Sequence, residues 1–348
     1  MNRSILVFSL TPGYGGGEKY ICDLITNLYS TYKWYLAVCS HEIVDKLSPI
    51  VGMKKIKVIR NNGINSRIMS AFSAVEFAIR NKLNIVVLNG VSEIRYALLF
   101  KLWKVKSVGM IHTLQIDSIV GPRRSQYLFS LKKCNSVISV SKQATYHYPK
   151  EIRKEMNIIY NCAPPPALNF GNITVNGGIR KALYVGRVEN LKGIEDIYAL
   201  AGIFQSVQFD LLGALGGGDS DCLFVRHRPP NVNLRGFCAN VFDYYSDTDL
   251  FLFPSRSEGG LPLALMEAAS VGLPIIASRI PAHLELAEYV DGIRLYDPGD
   301  LDQLVTCFQS LSDPSVREEA SLRIYTSYLE FAKNNDFAGR YRRIFDQI

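Results

Sequence analysis

Three segments of this chain combine glycines, cations and carboxylates at spacings suited to an anionic ligand. Gly13-Tyr-Gly15-Gly16-Gly17-Glu18-Lys19 follows a short apolar run and opens an amphipathic stretch. Glycine lets a backbone come close to a ligand, and a helix N-terminus offers free N–H groups to an anion, so Gly16 and Gly17 are candidate contacts. The loop is not the dinucleotide fingerprint, because Glu18 stands where its last glycine would be, nor a Walker A loop, because no Gly-Lys-Ser/Thr closes it. The alternative is a tight strand-to-helix turn. Gly186-Arg187-Val-Glu-Asn-Leu-Lys192-Gly193 brackets a second turn with two cations, which suits a diphosphate.

The third segment, Phe253-Pro254-Ser255-Arg256-Ser257-Glu258-Gly259-Gly260-Leu261-Pro262, runs from an apolar stretch through a polar glycine loop to a proline fit for a first helical turn. Glu267 follows on an otherwise apolar helix. A carboxylate there costs free energy unless it has partners, and vicinal ribose hydroxyls would serve; a cap on a neighbouring loop is the other reading. The N–H groups of Gly260 and Leu261 are candidates for phosphate or sugar contact. His112 ends the run Val108–His112, a strand-end position that favours function over packing. Asp247-Thr-Asp249 resembles a metal-binding DxD, but it precedes a buried run, so Asp249 is read as a structural cap with no metal.

The elements that position these residues follow from periodicity. Runs 4–9, 34–39, 57–59, 85–88, 107–111 and 136–140 read as strands separated by helical patterns. The rhythm breaks at Asn161–Gly178, which holds Pro164-Pro165-Pro166, and restarts with strands at 182–185, 209–212, 250–253 and 275–277. Buried strands alternating with helices give parallel, doubly wound sheets, so the chain is α/β with two Rossmann-like domains facing a central cleft. The expected divisions are 1–165, 166–330 and a C-terminal helix, 331–348, packing back on the first domain. Ser321–Ile348 reads as one long helix anchored by Phe331, Tyr341 and Phe345, and Arg95–Lys106 as a cationic, aromatic-bearing helix.

Composition bounds the rest. The chain has 348 residues, 48% hydrophobic and 20% charged, which excludes a collagen-like or wholly disordered chain. Seven scattered cysteines without a CxxC pair argue against a disulfide scaffold. No run is long enough for a membrane span, so a cytoplasmic protein is expected. The net charge of +7 hides a split: residues 1–170 carry +14 and residues 171–348 carry −7. A half so basic suggests an anionic partner or membrane surface.

Together these segments resemble the GT-B glycosyltransferases of the large retaining family 4. The order and spacing of the glycine loop, Gly186-Arg187…Lys192-Gly193, Pro254-Ser255…Glu258-Gly259…Glu267-Ala268 and Gly272-Leu-Pro274 carry the resemblance. It implies that Arg187 and Lys192 bind the donor diphosphate, Glu267 the ribose, and Glu258 and His112 the transferred sugar, with Gly16, Gly17, Gly259, Gly260 and Leu261 also at the donor. Glu258 and Glu267 enclose eight residues where the family has seven, and a glycine loop can absorb the difference. The implied reaction needs no cofactor or metal. Its partners are a nucleotide-diphosphate sugar, a glycan or polyprenyl-diphosphate-linked acceptor and the anionic inner face of the cell membrane, with no nucleic acid. A nucleotide-sugar epimerase and a non-catalytic polyanion-binding protein on the same scaffold are the alternatives.

Overall fold

The computed structural model describes residues 3–112, 121–161, 177–216, 224–238 and 240–348. They fall into two compact units, Met1–Asn161 with Asp336–Ile348, and Cys162–Asn335. The expected 165/166 boundary and the proline run lie outside the described residues.

The first unit holds a seven-stranded parallel sheet. Its strands are β1 (Ser4–Ser9), β2 (Lys33–Val38), β3 (Ile56–Val58), β4 (Ile85–Leu88), β5 (Lys106–Ile111), β6 (Ser136–Ser139) and β7 (Met156–Ile158), in the order β3-β2-β1-β4-β5-β6-β7. Both faces are covered, which is why β1 and β4 read as continuous apolar runs rather than alternating ones. Leu6, Phe8, Val86 and Leu88 pack against helices Ile64–Arg80, Ala97–Leu102 and Pro122–Leu131. Ile5, Val7, Ile85 and Val87 pack against helix Gly16–Leu28 and the C-terminal helix through Tyr341, Ile344 and Phe345.

The second unit holds a six-stranded parallel sheet, β8 (Lys181–Val185), β9 (Gln208–Leu212), β10 (Val232–Gly236), β11 (Leu250–Phe253), β12 (Ile275–Ser278) and β13 (Arg294–Tyr296), in the order β10-β9-β8-β11-β12-β13. Strand order therefore reverses at β1/β4 and at β8/β11. In doubly wound sheets the loops leaving such strands form the ligand crevice. The glycine loop leaves β1, the Arg187–Lys192 turn leaves β8, and the Ser255–Glu258 loop leaves β11.

Two expected helices are corrected. The tail is not one helix but two, Pro314–Asn335 and Phe337–Gln347, broken at Asp336 with φ of 38°. Aspartate tolerates the left-handed region, and its carboxylate caps the second helix by accepting the Gly339 N–H at 3.1 Å. The 95–106 stretch is helical only over Ala97–Leu102, since Lys104 turns left-handed at φ of 59° and leads into β5. Ala97 and Phe100 enter the core, whereas Leu98, Leu102 and Trp103 face solvent.

Candidate active site

In the second unit the crevice edge is built by backbone close approach. A Cβ on Gly213, which has φ of 149°, would lie 1.8 Å from the Gly186 carbonyl oxygen. A Cβ on Gly186 would lie 2.4 Å from the Tyr184 hydroxyl, which itself donates to the Arg187 carbonyl at 2.8 Å. Only glycines let the β8 and β9 ends and the Arg187 turn nest this closely. The Arg187 side chain is two-thirds exposed and its guanidinium lies 3.1 Å from Glu189.

The turn that carries Lys192 is tied to the loop after β11. Gly193 is left-handed at φ of 66°, and a Cβ there would lie 2.1 Å from the Pro254 carbonyl. The Arg256 N–H donates to the Leu191 carbonyl at 2.9 Å, and the Ser255 hydroxyl donates to the same oxygen at 3.3 Å. These bonds bring Lys192 Nζ to 2.5 Å from Glu258 Oε1, with both side chains more than four-fifths buried. The Glu258 loop is in turn fixed by a clamp. Arg256 donates to both carboxylate oxygens of Asp196 at 2.8 and 2.6 Å, and the Tyr296 hydroxyl donates to Asp196 at 2.7 Å. A bidentate guanidinium–carboxylate pair fixes orientation as well as distance.

Glu267 is buried on helix Leu263–Ser270, among Leu265, Met266, Ala268 and Ala269. Burial first and the Glu267 carboxylate second push the Tyr245 phenol well above its ordinary range, so the two side chains are neighbours. Gly259 and Gly260 are partly exposed beside Glu258, and Leu261 is buried at the helix entry. His283 is fully buried. Its Nδ1 donates to the Ser278 carbonyl at 2.8 Å, its ring meets Phe253 edge-on, and burial holds its pKa down at about 4. It senses the charges of both Glu258 and Lys192.

The first unit gathers a separate polar cluster at the ends of β1, β4 and β5. Asn89 Nδ2 donates to the Ser9 hydroxyl at 3.1 Å, which leaves its Oδ1 to accept from His112 Nε2 at 2.7 Å. His112 therefore carries its proton on Nε2 and keeps a lone pair on Nδ1; burial lowers its pKa to about 4, so the ring is neutral. Gly17 lies against that ring, since a Cβ there would sit 3.6 Å from it, and Gly16 opens the same helix. Tyr20 meets His112 edge-on at 5.3 Å, and its hydroxyl lies 2.5 Å from that of Tyr341. The Glu93 carboxylate accepts the Leu10 N–H at 2.6 Å, and burial raises its pKa to about 8.

The structure thus joins Lys192 to Glu258 and His112 to Gly17, and leaves Arg187 extended toward solvent. Asp249 caps the start of β8, accepting the N–H groups of Arg180 and Lys181 at 2.8 and 3.0 Å. Asp196, Arg256, His283, Asn89, Glu93 and Tyr20 escape the sequence reading. Only Asn89 and Glu93 had an accessible signal, their position just after a buried strand. Among the described residues, no group of three or more His, Cys, Asp or Glu side chains is placed to hold a metal ion.

Residues 179–313 match the family model described as Glycosyl transferases group 1. The amylovoran biosynthesis glycosyltransferase AmsK of Erwinia amylovora is 28% identical over 155 residues, covering 43% of this chain. The capsular polysaccharide biosynthesis glycosyltransferase CapM of Staphylococcus aureus is 26% identical over 144 residues, covering 39%. The matched stretches span only 36% and 37% of those two relatives' own lengths. Among solved structures, Anabaena Alr3699/HepE in complex with UDP superposes with a TM-score of 0.81 at 15% identity, over 99% of this chain and all of the other. At that identity the likeness speaks for the fold. The parallel sheets, their order and this likeness make the fold GT-B, and the second unit is similar to the glycosyl transferases group 1 family over residues 179–313.

Proposed function

We propose that the protein is a retaining, metal-independent glycosyltransferase that moves a sugar from a nucleotide-diphosphate sugar to a glycan or polyprenyl-diphosphate-linked glycan in cell-surface polysaccharide synthesis. The observation that carries the reading is the Lys192–Glu258 pair, held at 2.5 Å at the β8/β11 reversal of the unit that matches the family. A buried ammonium at a crevice edge is suited to a diphosphate, and a carboxylate beside it to sugar hydroxyls. HepE is solved with UDP and with UDP-glucose, which makes a uridine donor the first to test.

In this reading the acceptor hydroxyl oxygen bonds to the anomeric carbon as the bond from that carbon to the diphosphate oxygen breaks. The diphosphate leaves with the electron pair and takes the hydroxyl proton. Lys192 stabilises the charge that develops on it, and Arg187, exposed and ion-paired with Glu189 at 3.1 Å, exchanges that partner for the diphosphate. Glu267 orients the ribose, Glu258 holds the sugar, and the N–H groups of Gly259, Gly260 and Leu261 line the donor. The lone pair on His112 Nδ1, beside Gly16 and Gly17, accepts from a sugar hydroxyl. The protein acts at the cytoplasmic face of the membrane as a peripheral enzyme.

A thermal-shift series with UDP, GDP, ADP, CMP and dTDP, with and without Mg²⁺, tests this. Saturation at 100 times Kd adds about 2.7 kcal/mol, a shift of a few degrees or more. Stabilisation by one nucleotide without Mg²⁺ is expected. No shift with any of them, together with no transfer from the matching sugar nucleotides, sinks the reading.

A further inference from the structure

Three polar residues stand in a row where the sheet of the first unit ends. The order β1-β4-β5 sets these strand ends side by side. Ser9, the last residue of β1, is therefore followed across the sheet by Asn89, just past β4, and His112, just past β5. Asn89 is fixed between the other two. Its N–H donates to the Phe8 carbonyl at 3.1 Å, and the chain turns away behind it at Gly90, with φ of 126°. Its buried side chain gives Nδ2 to the Ser9 hydroxyl and so offers Oδ1 to His112 at 2.7 Å. An amide oxygen only accepts, so the Nε2 that faces it must hold a proton.

Among the described residues, the other neighbours of the ring are engaged elsewhere. Gly17 lies against its carbon side and Tyr20 meets it edge-on. The Tyr20 hydroxyl is taken by Tyr341 and the Ile159 carbonyl. The carboxylates at this end of the sheet are tied to backbone, Glu18 to the Gly15 N–H at 3.1 Å and Glu93 to the Leu10 N–H at 2.6 Å. Asn89 thus decides the tautomer, and burial keeps the ring neutral. His112 is only half-buried, so its Nδ1 can meet a ligand. A neutral nitrogen with a lone pair accepts from an O–H and repels a carboxylate oxygen, which has no proton to donate. An imidazolium would do the reverse.

We propose that Asn89 is a positioning residue that holds His112 in its acceptor form, and that the group His112 meets on the transferred sugar is a hydroxyl and not a carboxylate. This rests on the proposed function and adds the class of sugar, one uncharged where it faces His112. Histidine-selective ¹⁵N labelling of the full chain, with His112 assigned by its loss in His112→Gln, reads the tautomer directly. The wild type is expected to show a protonated Nε2 and a bare Nδ1 from pH 8 to pH 5. A protonated Nδ1 in that range overturns the proposal, and this arm needs no Asn89 variant to fold. Release of nucleoside diphosphate is then measured with UDP-glucose against UDP-glucuronic acid and with GDP-mannose against GDP-mannuronic acid. Each pair differs by one hydroxymethyl group oxidised to a carboxylate. The wild type should favour the neutral sugar by at least about 100-fold in kcat/KM. In Asn89→Asp a carboxylate beside Nε2 favours the charged ring, so Nδ1 gains a proton at pH 6. The preference should then shrink at least about tenfold at pH 6 and less at pH 8. Asn89→Leu should mix the tautomers and lower kcat more than it raises the donor KM. A preference unchanged in both variants while Tm falls would make Asn89 a packing residue and overturn the proposal. No turnover of any of the four by the wild type, with the tautomer as expected, would remove the transferase reading and the sugar assignment with it, and leave the hold of Asn89 on His112 standing.

Discussion

Replacing Lys192 by methionine and Glu258 by glutamine should move nucleotide affinity in opposite directions. The ammonium is 2.5 Å from the carboxylate and both are largely buried. A diphosphate must draw Lys192 from this partner. A charge-assisted hydrogen bond is worth about 1.5–3 kcal/mol, so Lys192→Met should weaken binding of the stabilising nucleoside diphosphate by about 10- to 150-fold. Glu258→Gln removes the competing negative charge, which at 4 Å from a phosphate and an effective dielectric of 20 would oppose binding by about 4 kcal/mol; geometry and screening leave a gain of roughly tenfold in affinity. Transfer should fall in both variants, since Glu258 holds the sugar in this reading. Isothermal titration gives the affinities, and Tm without ligand gives the stability each variant loses by stranding a buried charge. If the pair serves only to join the two loops, both variants lower Tm and neither changes nucleotide affinity. A Lys192→Met protein that binds nucleotide within twofold of wild type would refute the diphosphate assignment.

Other consequences follow from the same geometry. The Glu93 carboxyl titrates at about 8 when folded and near 4.5 when unfolded, so between those pH values only the folded state holds the proton. Stability should fall by about 1.4 kcal/mol for each pH unit across that window, and Glu93→Gln should remove this fall in urea unfolding at pH 6.5, 7.5 and 8.5. His112 and His283 act with the opposite sign, because both stay neutral down to about 4 when folded. Between 4 and 6.5 the unfolded state binds more protons, so their contribution rises with pH and is complete above 6.5, and His283→Gln should shallow the acid limb. Gly193→Ala puts a Cβ 2.1 Å from the Pro254 carbonyl at a left-handed φ and should cost more than about 2 kcal/mol, with loss of nucleotide binding as the Lys192 turn shifts; an unchanged Tm would contradict the packing described.

How much of this was legible in the sequence depended on how local each signal was. Buried parallel strands announce themselves as apolar runs, and β1, β4 and β11 stand where the runs predict. Strands β7, β10 and β13 read Met-Asn-Ile, Val-Asn-Leu-Arg-Gly and Arg-Leu-Tyr; they lie at sheet edges, half covered, and the edge position strips them of the apolar signature that a central strand needs. The site divides along the same line. Lys192 and Glu258 lie in turns that leave strands, and Gly17 and Glu267 on the helices that come next, so topology alone places them. What holds them comes from far along the chain: Asp196 clamps Arg256 across 60 residues, and Tyr341 reaches Tyr20 across 321. Arg256 shows why such partners cannot be read locally. It sits two residues from Glu258 in a loop rich in ligand candidates and looks like a third cation for a phosphate, yet its two terminal nitrogens are locked in a bidentate pair with Asp196, whose carboxylate also takes the Tyr296 hydroxyl. A diphosphate would have to break a bidentate pair to reorient it, whereas Lys192 is held to Glu258 by one bond. The chemistry thus falls to the lysine, and the arginine two residues from Glu258 becomes the strut that fixes where the carboxylate stands.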